Sequence, residues 1–184
     1  MRKNALVLIA QGCEELEAVT AVDILRRADV KVITAGLDRA NVVASRKVTL
    51  VPDATLDEAL DQEFDMVVLP GGLPGADNLA NDARVIALLQ DMARAGKFTC
   101  AICAAPAVLA KAGVLAGKRA TSYPGVLDNM NLPDVTYTGE AVVCDGTVIT
   151  SRGPGTAMDF ALALVEILAG KAKRDEIEES LVRD

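Results

Sequence analysis

The sequence contains no histidine and no tryptophan, and each absence excludes a class of chemistry. Without histidine there is no Ser-His-Asp triad, no Cys-His dyad, no HExxH zinc site and no imidazole to carry protons. Proton transfer near neutral pH then requires a carboxyl group with a shifted pKa, a thiol, a tyrosine or water. Because aromatic residues make up only 3% of the chain, few side chains are available for nucleic-acid bases to stack on.

Basic residues and long apolar runs are also scarce. The 184 residues include 19 Lys and Arg against 26 Asp and Glu, a net charge of -7, which disfavours nucleic acid as the main partner. No apolar run reaches the roughly 18 residues of a membrane span, and the run at 5–10 is shorter than the roughly 7–15 residues of a signal-peptide core. The cysteines are too few and too scattered for a disulfide framework (Cys13, Cys100, Cys103 and Cys144). We therefore expect a soluble, cytoplasmic protein without a membrane partner.

The sequence does show short apolar runs that alternate with helical patterns. Strands are predicted at Ala5–Ala10, Val30–Ala35, Met66–Leu69, Phe98–Ile102 and Val148–Thr150. Helices are predicted at Glu14–Ala28, Asp82–Ala95, Ala105–Ala112, Pro154–Gly170 and Lys171–Arg183. Thr156 and Asp159 have the spacing of a capping box. This alternation predicts a single α/β domain over residues 1–184, with a mostly parallel sheet covered by helices on both faces.

Three segments with chemically useful side chains come directly after predicted strands. They are residues 11–17, 70–78 and 103–106. In open parallel sheets the binding sites lie outside the carboxyl ends of the strands. We therefore expect these segments to meet at one edge of the sheet and to form the functional site.

Cys103 is the first candidate, because it stands between a predicted strand and a predicted helix. Such a turn projects one side chain beyond the sheet, as in the nucleophile elbow of hydrolases. Lowering the pKa of a thiol from ~8.5 to ~6 requires about 3.4 kcal/mol, and a helix N-terminus supplies roughly 1–2 kcal/mol. A reactive Cys103 thiolate therefore needs help from a second group. The alternative is that Cys103 is a small buried hydrophobic residue.

Cys100 and Cys103 form a C-x-x-C pair. If both residues lay along a strand, their Cα atoms would be about 10 Å apart, too far for a disulfide, and their side chains would point to opposite faces. We expect Cys100 to belong to the core. A zinc site is disfavoured because the chain has neither histidine nor a second such pair.

Glu17 is the second candidate, because it shares a helical stripe with the apolar residues Ala21, Ile24 and Ala28. A carboxyl group on a buried stripe has a raised pKa, so it can donate a hydrogen bond to a thiolate when protonated or act as a base when ionised. The alternative is that Glu17 extends into solvent at the start of its helix. Glu14 and Glu15 are explained as first-turn acids that the helix dipole favours.

Gly71 and Gly72 follow the predicted strand Met66–Leu69. Glycines in this position let backbone N–H groups approach a ligand closely and can form an oxyanion hole. A tight turn is the simpler explanation for any one of them. The chain has no G-x-x-x-x-G-K-[ST] loop and no G-x-G-x-x-G fingerprint here, so a nucleotide site is not supported.

Four segments together resemble the ThiJ/PfpI superfamily, in the branch of the Parkinsonism-associated deglycases (residues 12–17, 67–72, 101–106 and 150–156). The resemblance implies a flavodoxin-like three-layer sandwich and a homodimer. It implies that Cys103 is the nucleophile and the oxidation-sensitive residue, with a protonated Glu17 bonded to it. It further implies that Gly72 and Ala104 supply oxyanion-hole N–H groups, and that Arg27 and Arg46 lie near a dimer-side pocket that receives anions.

The function implied by the resemblance is that of a glyoxalase and deglycase without metal or cofactor. Its substrates would be methylglyoxal and early glycation adducts of thiols and amines. The alternative is a redox sensor or chaperone in which Cys103 is oxidised to a sulfinate. Many relatives carry Thr-x-His-Pro where this chain has Tyr123 in Thr-Ser-Tyr-Pro. Tyrosine is a poor base near pH 7, so we expect Tyr123 to hydrogen-bond the substrate, and peptidase activity is disfavoured.

Overall fold

The computed structural model describes residues 2–183. The strands are β1 (Asn4–Ile9), β2 (Lys31–Gly36), β3 (Val42–Val43), β4 (Thr49–Leu50), β5 (Ala54–Thr55), β6 (Met66–Leu69), β7 (Phe98–Ile102), β8 (Arg119–Ala120), β9 (Thr136–Tyr137), β10 (Val142–Asp145) and β11 (Val148–Ser151). The helices are α1 (Glu15–Arg27), α2 (Leu56–Leu60), α3 (Gly75–Asn81), α4 (Ala83–Arg94), α5 (Pro106–Lys111), α6 (Ala157–Ala169) and α7 (Lys171–Ser180). Single 3₁₀ turns lie at Leu127–Asn129 and Pro154–Thr156.

Within residues 2–183, seven strands form the main sheet in the order β10-β11-β7-β6-β1-β2-β5. All neighbouring pairs in it are parallel except β10 and β11, which pair antiparallel. The five predicted strands are the five at the centre of this order. The predicted α/β class with a mostly parallel sheet is thus confirmed.

The sheet separates two apolar cores, and β1 contributes to both. Ala5, Val7 and Ile9 join the cluster that includes buried residues of α1 and α6. Leu6 and Leu8 face the cluster beneath α3, α4 and α5. Because both faces of β1 are covered, its sequence reads as a continuous apolar run rather than an alternating one. Cys100 is fully buried in the first of these clusters, as predicted.

The predicted capping box at Thr156 is wrong. The Thr156 hydroxyl lies 2.7 Å from Ser151 Oγ and accepts the Gly153 N–H at 3.1 Å, so it makes no cap hydrogen bond to α6. The reason is that residues 154–156 form a 3₁₀ turn and α6 begins after them. A capping box does occur at α2, where Thr55 and Glu58 bond each other's backbone N–H groups.

The longest helices, α1 and α6, have 13 residues each. Within the described residues 2–183, no helix combines the length and the apolar character needed to cross a membrane.

Candidate active site

The three predicted segments meet at the carboxyl ends of β7, β6 and β1, which are neighbours in the sheet. The Glu14 N–H donates to the Gly71 carbonyl at 2.9 Å. The Gly71 N–H donates to Glu17 Oε2 at 2.8 Å. A Cβ atom on Gly71 would lie only 2.6 Å from the Cβ of Cys103. The structure thus brings Glu17, the glycine pair and Cys103 together, as expected from the sequence.

Cys103 sits in a left-handed backbone conformation, with φ of 65°. Its N–H donates to the Ser151 carbonyl at 3.0 Å, and its own carbonyl accepts the Tyr123 N–H at 2.9 Å. These two bonds hold a conformation that costs an ordinary L-residue about 1–2 kcal/mol. The turn also corrects one expectation, because Cys103 packs against the same apolar cluster as Cys100 rather than on the opposite face. Strand alternation stops at Ile102, where β7 ends.

Position 72 requires glycine, both for its backbone conformation and for the space around it. Its φ is 83°, and a Cβ there would lie 2.4 Å from the Glu14 nitrogen. No side chain fits so close to another backbone. A tight turn alone therefore does not explain the two glycines. Gly71 packs directly against Cys103, and Gly72 packs against the backbone at the start of α1.

Glu17 is buried, with 2% of its surface exposed, so the alternative of a side chain reaching into solvent is wrong. Oε2 accepts the Gly71 N–H, while Oε1 has no hydrogen-bond partner within residues 2–183 and the carboxyl group lies against Cys103. Burial raises the pKa of Glu17 from 4.5 to about 7. A proton on the Glu17 carboxyl group could be donated to the neighbouring Cys103 sulfur.

The pKa of the Cys103 thiol is raised rather than lowered, which corrects the expectation of an acidic thiol. Burial and the neighbouring Glu17 carboxylate raise it from 9.0 to about 12, although the N–H groups of Gly72 and Ala104 face the sulfur and favour its anion. Helix α5 has six residues and begins only at Pro106, so its dipole helps little.

Glu17 and Cys103 therefore titrate as a pair. The pair loses one proton near pH 7, and a second leaves only near pH 12. Between these values the pair carries one negative charge, mainly on Glu17, and holds one proton, mainly on the sulfur. The thiolate exists when Glu17 holds the remaining proton, and two backbone N–H groups then stabilise the sulfur anion.

Glu15 is more than a first-turn acid. It is 9% exposed, and its carboxylate accepts the Arg46 N–H at 2.9 Å and the Ser45 hydroxyl at 3.0 Å. Burial opposes ionisation, but these hydrogen bonds lower the pKa of Glu15. Glu15 therefore fastens the turn between β3 and β4 to the start of α1.

The two arginines implied by the resemblance do not both lie near Cys103 within one chain. Arg46 is exposed on the turn that Glu15 holds. Arg27 ends α1, where it pairs with Asp23 at 3.0 Å. Ten residues of helix separate it from Glu17, a rise of about 15 Å.

Tyr123 borders a cavity of about 280 Å³, and its side chain is 51% exposed. The cavity is also lined by Arg152, which sequence reasoning missed. The Arg152 guanidinium donates to the Gly139 carbonyl at 3.2 Å, and it has no carboxylate partner within residues 2–183. Its place one residue beyond β11, at the same edge of the sheet as Cys103, was the signal that could have revealed it.

All four cysteines are free thiols, and Cys103 is partly exposed while Cys13 and Cys100 are buried. In the part of the chain that is described, no group of three or more Cys, Asp or Glu side chains is arranged to hold a metal ion.

Comparison with known proteins decides the family. The model of the DJ-1/PfpI family matches residues 3–167. The chain belongs to the DJ-1/PfpI family. This result confirms the resemblance drawn from the four motif segments.

DJ-1/PfpI relatives match the chain over nearly its whole length. Protein dj-1beta of Drosophila melanogaster is 46% identical over 99% of this chain and 98% of its own, and its crystal structure superposes with a TM-score of 0.95 over 100% of both chains. The glutathione-independent glyoxalase DJR-1.2 of Caenorhabditis elegans is 36% identical over 96% of this chain and 94% of its own. The structure of oxidized Toxoplasma gondii DJ-1 is 34% identical, with a TM-score of 0.92 over 98% of both chains. The family thus includes a protein named as an enzyme.

Proposed function

We propose that this protein is a cofactor-independent glyoxalase that converts methylglyoxal and related 2-oxoaldehydes to 2-hydroxy acids. One observation carries the proposal: a buried carboxyl group, a partly exposed thiol and two backbone N–H groups lie together at the carboxyl ends of the central strands. The glyoxalase name of the Caenorhabditis elegans relative supports the same function.

The first step forms a carbon–sulfur bond. The Cys103 thiolate attacks the aldehyde carbon, and the aldehyde oxygen takes the proton that Glu17 held. As the sulfur loses its charge, the N–H groups of Gly72 and Ala104 become available to the developing oxyanion. The product of this step is a hemithioacetal, with Glu17 now ionised.

The second step moves one proton between adjacent carbons. The Glu17 carboxylate removes the hydrogen from the former aldehyde carbon, and the electron pair passes toward the neighbouring ketone. Glu17 then returns the proton to the ketone carbon, while the hydroxyl proton on the former aldehyde oxygen passes to the former ketone oxygen. The aldehyde carbon has been oxidised to a thioester and the ketone reduced to an alcohol, so no external redox cofactor is needed. Water then hydrolyses the thioester: its hydroxyl completes the 2-hydroxy acid, its remaining proton returns to Glu17, and the sulfur leaves as the thiolate.

The same thiolate supports a deglycase activity. Early adducts of methylglyoxal with thiols and amines are hemithioacetals and hemiaminals, which release the aldehyde reversibly. Capture of that aldehyde by Cys103 and its conversion to lactate would return the free thiol or amine. Tyr123 and Arg152, at the neighbouring cavity, are placed to contact the adduct.

Lactate release from methylglyoxal tests the glyoxalase proposal. We expect Cys103→Ser to abolish turnover and Glu17→Gln to lower kcat by about 10²–10⁴-fold, the usual contribution of a general acid–base group. Cys144→Ser is the matched control, because Cys144 is an exposed thiol on β10, and it should keep the wild-type rate. Wild-type turnover by Cys103→Ser would refute the mechanism.

A second candidate function is redox sensing at Cys103. It is favoured by the partial exposure of this thiol and by the oxidized state of the Toxoplasma gondii relative. Two molecules of hydrogen peroxide would each transfer one oxygen atom to the sulfur and leave as water, producing a sulfinate. Mass spectrometry after mild peroxide treatment should show two added oxygens at Cys103. Equal oxidation of Cys144 would argue against a selective sensor.

We also propose that the protein forms a homodimer. Exposed apolar side chains cover the outer face of α1 and the neighbouring β3–β4 region: Leu16, Val19, Val43, Val48 and Val51. Contiguous exposed apolar patches of this kind mark protein interfaces. Sedimentation equilibrium should give twice the chain mass, and Val19→Glu should shift the species toward the monomer. A monomeric wild-type protein at micromolar concentration would exclude this proposal.

A further inference from the structure

A cleft of about 340 Å³ opens between the carboxyl ends of β1 and β2, apart from the cavity beside Tyr123. Neither Cys103 nor Glu17 lines it. Leu37 contributes apolar surface, the buried side chains of Ile9 and Val42 border the cleft, and Asp38, Asn78 and Asn81 contribute polar groups. We call it the β1–β2 cleft. Its volume falls in the roughly 300–1,000 Å³ range of small-molecule sites, which combine apolar walls with a few polar groups.

The polar side chains of the β1–β2 cleft keep hydrogen-bonding capacity for a ligand. Asp38 Oδ1 accepts the Ala40 N–H at 2.8 Å, and Asn78 Nδ2 donates to the Gln11 carbonyl at 2.9 Å. Within residues 2–183, no further partner engages Asp38 Oδ2 or Asn78 Oδ1. Asn81 accepts from Lys111 through Oδ1 at 3.2 Å, which leaves its N–H₂ group as a donor.

The charges of the cleft argue against an anionic ligand. Asp82 also lines it, but Arg84 pairs with that carboxylate at 2.6 Å. Asp38 remains as a carboxylate without an ion pair within residues 2–183. A phosphate group would meet this negative charge, and the segment after β1 lacks the glycine-rich loop that binds phosphates.

A hydroxyl group matches the cleft better than an ammonium group does. Hydroxyls both donate and accept hydrogen bonds, whereas an ammonium only donates. Asp38 and Asn78 present acceptors, while Asn81 presents a donor. Two neighbouring hydroxyls on an otherwise apolar ring would therefore satisfy groups of both kinds.

We propose that the β1–β2 cleft binds a neutral vicinal diol of the ribonucleoside type. The Asp38 carboxylate accepts from the ribose hydroxyls, and the base packs against the partly exposed side chain of Leu37. Asp38 follows β2, the second strand of an open parallel sheet, where an acidic side chain can reach ribose hydroxyls in other α/β proteins. This site is independent of the glyoxalase proposal.

Titration of the ¹⁵N-labelled full chain with adenosine and with 2′-deoxyadenosine tests the proposal. Adenosine should shift the amide resonances of Leu37, Asp38 and Asn78 saturably. The deoxy compound lacks one hydroxyl of the diol and should bind at least about tenfold more weakly, the scale of a hydrogen bond to a charged group.

Asp38→Asn should weaken adenosine binding by a similar factor, since the amide oxygen can still accept the Ala40 N–H. Asp61→Asn is the matched control, because Asp61 is an exposed acid outside the cleft, and it should bind as wild type does. Any of three results would overturn the proposal: no saturable shifts with adenosine, equal affinity for both nucleosides, or unchanged affinity in Asp38→Asn.

Discussion

Replacing Glu17 with glutamine should make the protein more stable above neutral pH while lowering its turnover of methylglyoxal. In the unfolded chain a glutamate loses its proton near pH 4.5, whereas burial in the folded protein delays that loss to about pH 7. The folded state therefore binds more protons over this interval, and the stability of the wild type falls as the pH rises through it. The amide introduced by Glu17→Gln carries no charge, and its oxygen can still accept the Gly71 N–H.

The size of this change in unfolding free energy follows from the shift in the pKa of Glu17. Each pH unit of displacement corresponds to about 1.4 kcal/mol. The rise from 4.5 to about 7 therefore corresponds to about 3.4 kcal/mol of unfolding free energy, of which about 3 kcal/mol falls between about pH 4 and about pH 8. At about pH 4 both proteins have a neutral side chain at position 17, so no charged group is buried and neither protein is destabilised by it. At about pH 8 the wild type is destabilised by ionisation of the buried Glu17, whereas the variant is not.

Urea unfolding of wild type and Glu17→Gln at about pH 4 and about pH 8 measures this difference. The stability of the variant relative to wild type should increase by about 3 kcal/mol between the two conditions. Glu63→Gln changes an exposed glutamate, so its relative stability should stay constant. A constant difference for Glu17→Gln as well would show that the carboxyl group has an ordinary pKa in the folded protein, and the shared-proton description would fail.

Three further predictions test the surroundings of the pair. Gly71→Ala would place a Cβ atom 2.6 Å from that of Cys103, so methylglyoxal turnover should fall by about 100-fold. Gly155→Ala has no atom within 4 Å of the added Cβ and should keep the wild-type rate; equal losses would contradict the steric reason. Glu15→Ala should cost about 1–3 kcal/mol in urea unfolding and speed amide exchange at Val48, whose N–H donates to Glu15 at 3.4 Å. Unchanged exchange would show that Glu15 does not hold the turn between β3 and β4. Alkylation of Cys103 by iodoacetamide should rise with a midpoint near pH 7, whereas a rise only near pH 12 would place the charge on Glu17 alone.

The central sheet could be predicted because its strands are covered on both faces. Runs such as Ala5–Ala10 and Met66–Leu69 are apolar at nearly every position, and burial on two sides requires this. The meeting of Glu17 with Cys103 was equally predictable, since both follow parallel strands whose carboxyl ends share one edge. Two-residue strands such as β3 and β4 are too short to show any periodicity, so no pattern in the sequence indicates them.

Other features depend on contacts that no local pattern encodes. Glu15 satisfies the local rule for a first-turn acid, but its partners lie about thirty positions later in the chain. The direction of the Cys103 pKa shift depends on how deeply the sulfur is buried and on the charge of Glu17. The distance of Arg27 from the site follows only once α1 is known to run straight from Glu15 to Arg27.

The left-handed backbone at Cys103 determines how a mutational scan of that position should be interpreted. A φ of 65° is tolerated by glycine and asparagine but strongly disfavoured by β-branched residues. Threonine, valine and isoleucine would therefore damage the elbow as well as remove the sulfur, and their loss of function would say nothing about chemistry. Serine, alanine and asparagine form the informative set. Among them, serine alone presents a hydroxyl in place of the thiol on an unchanged backbone.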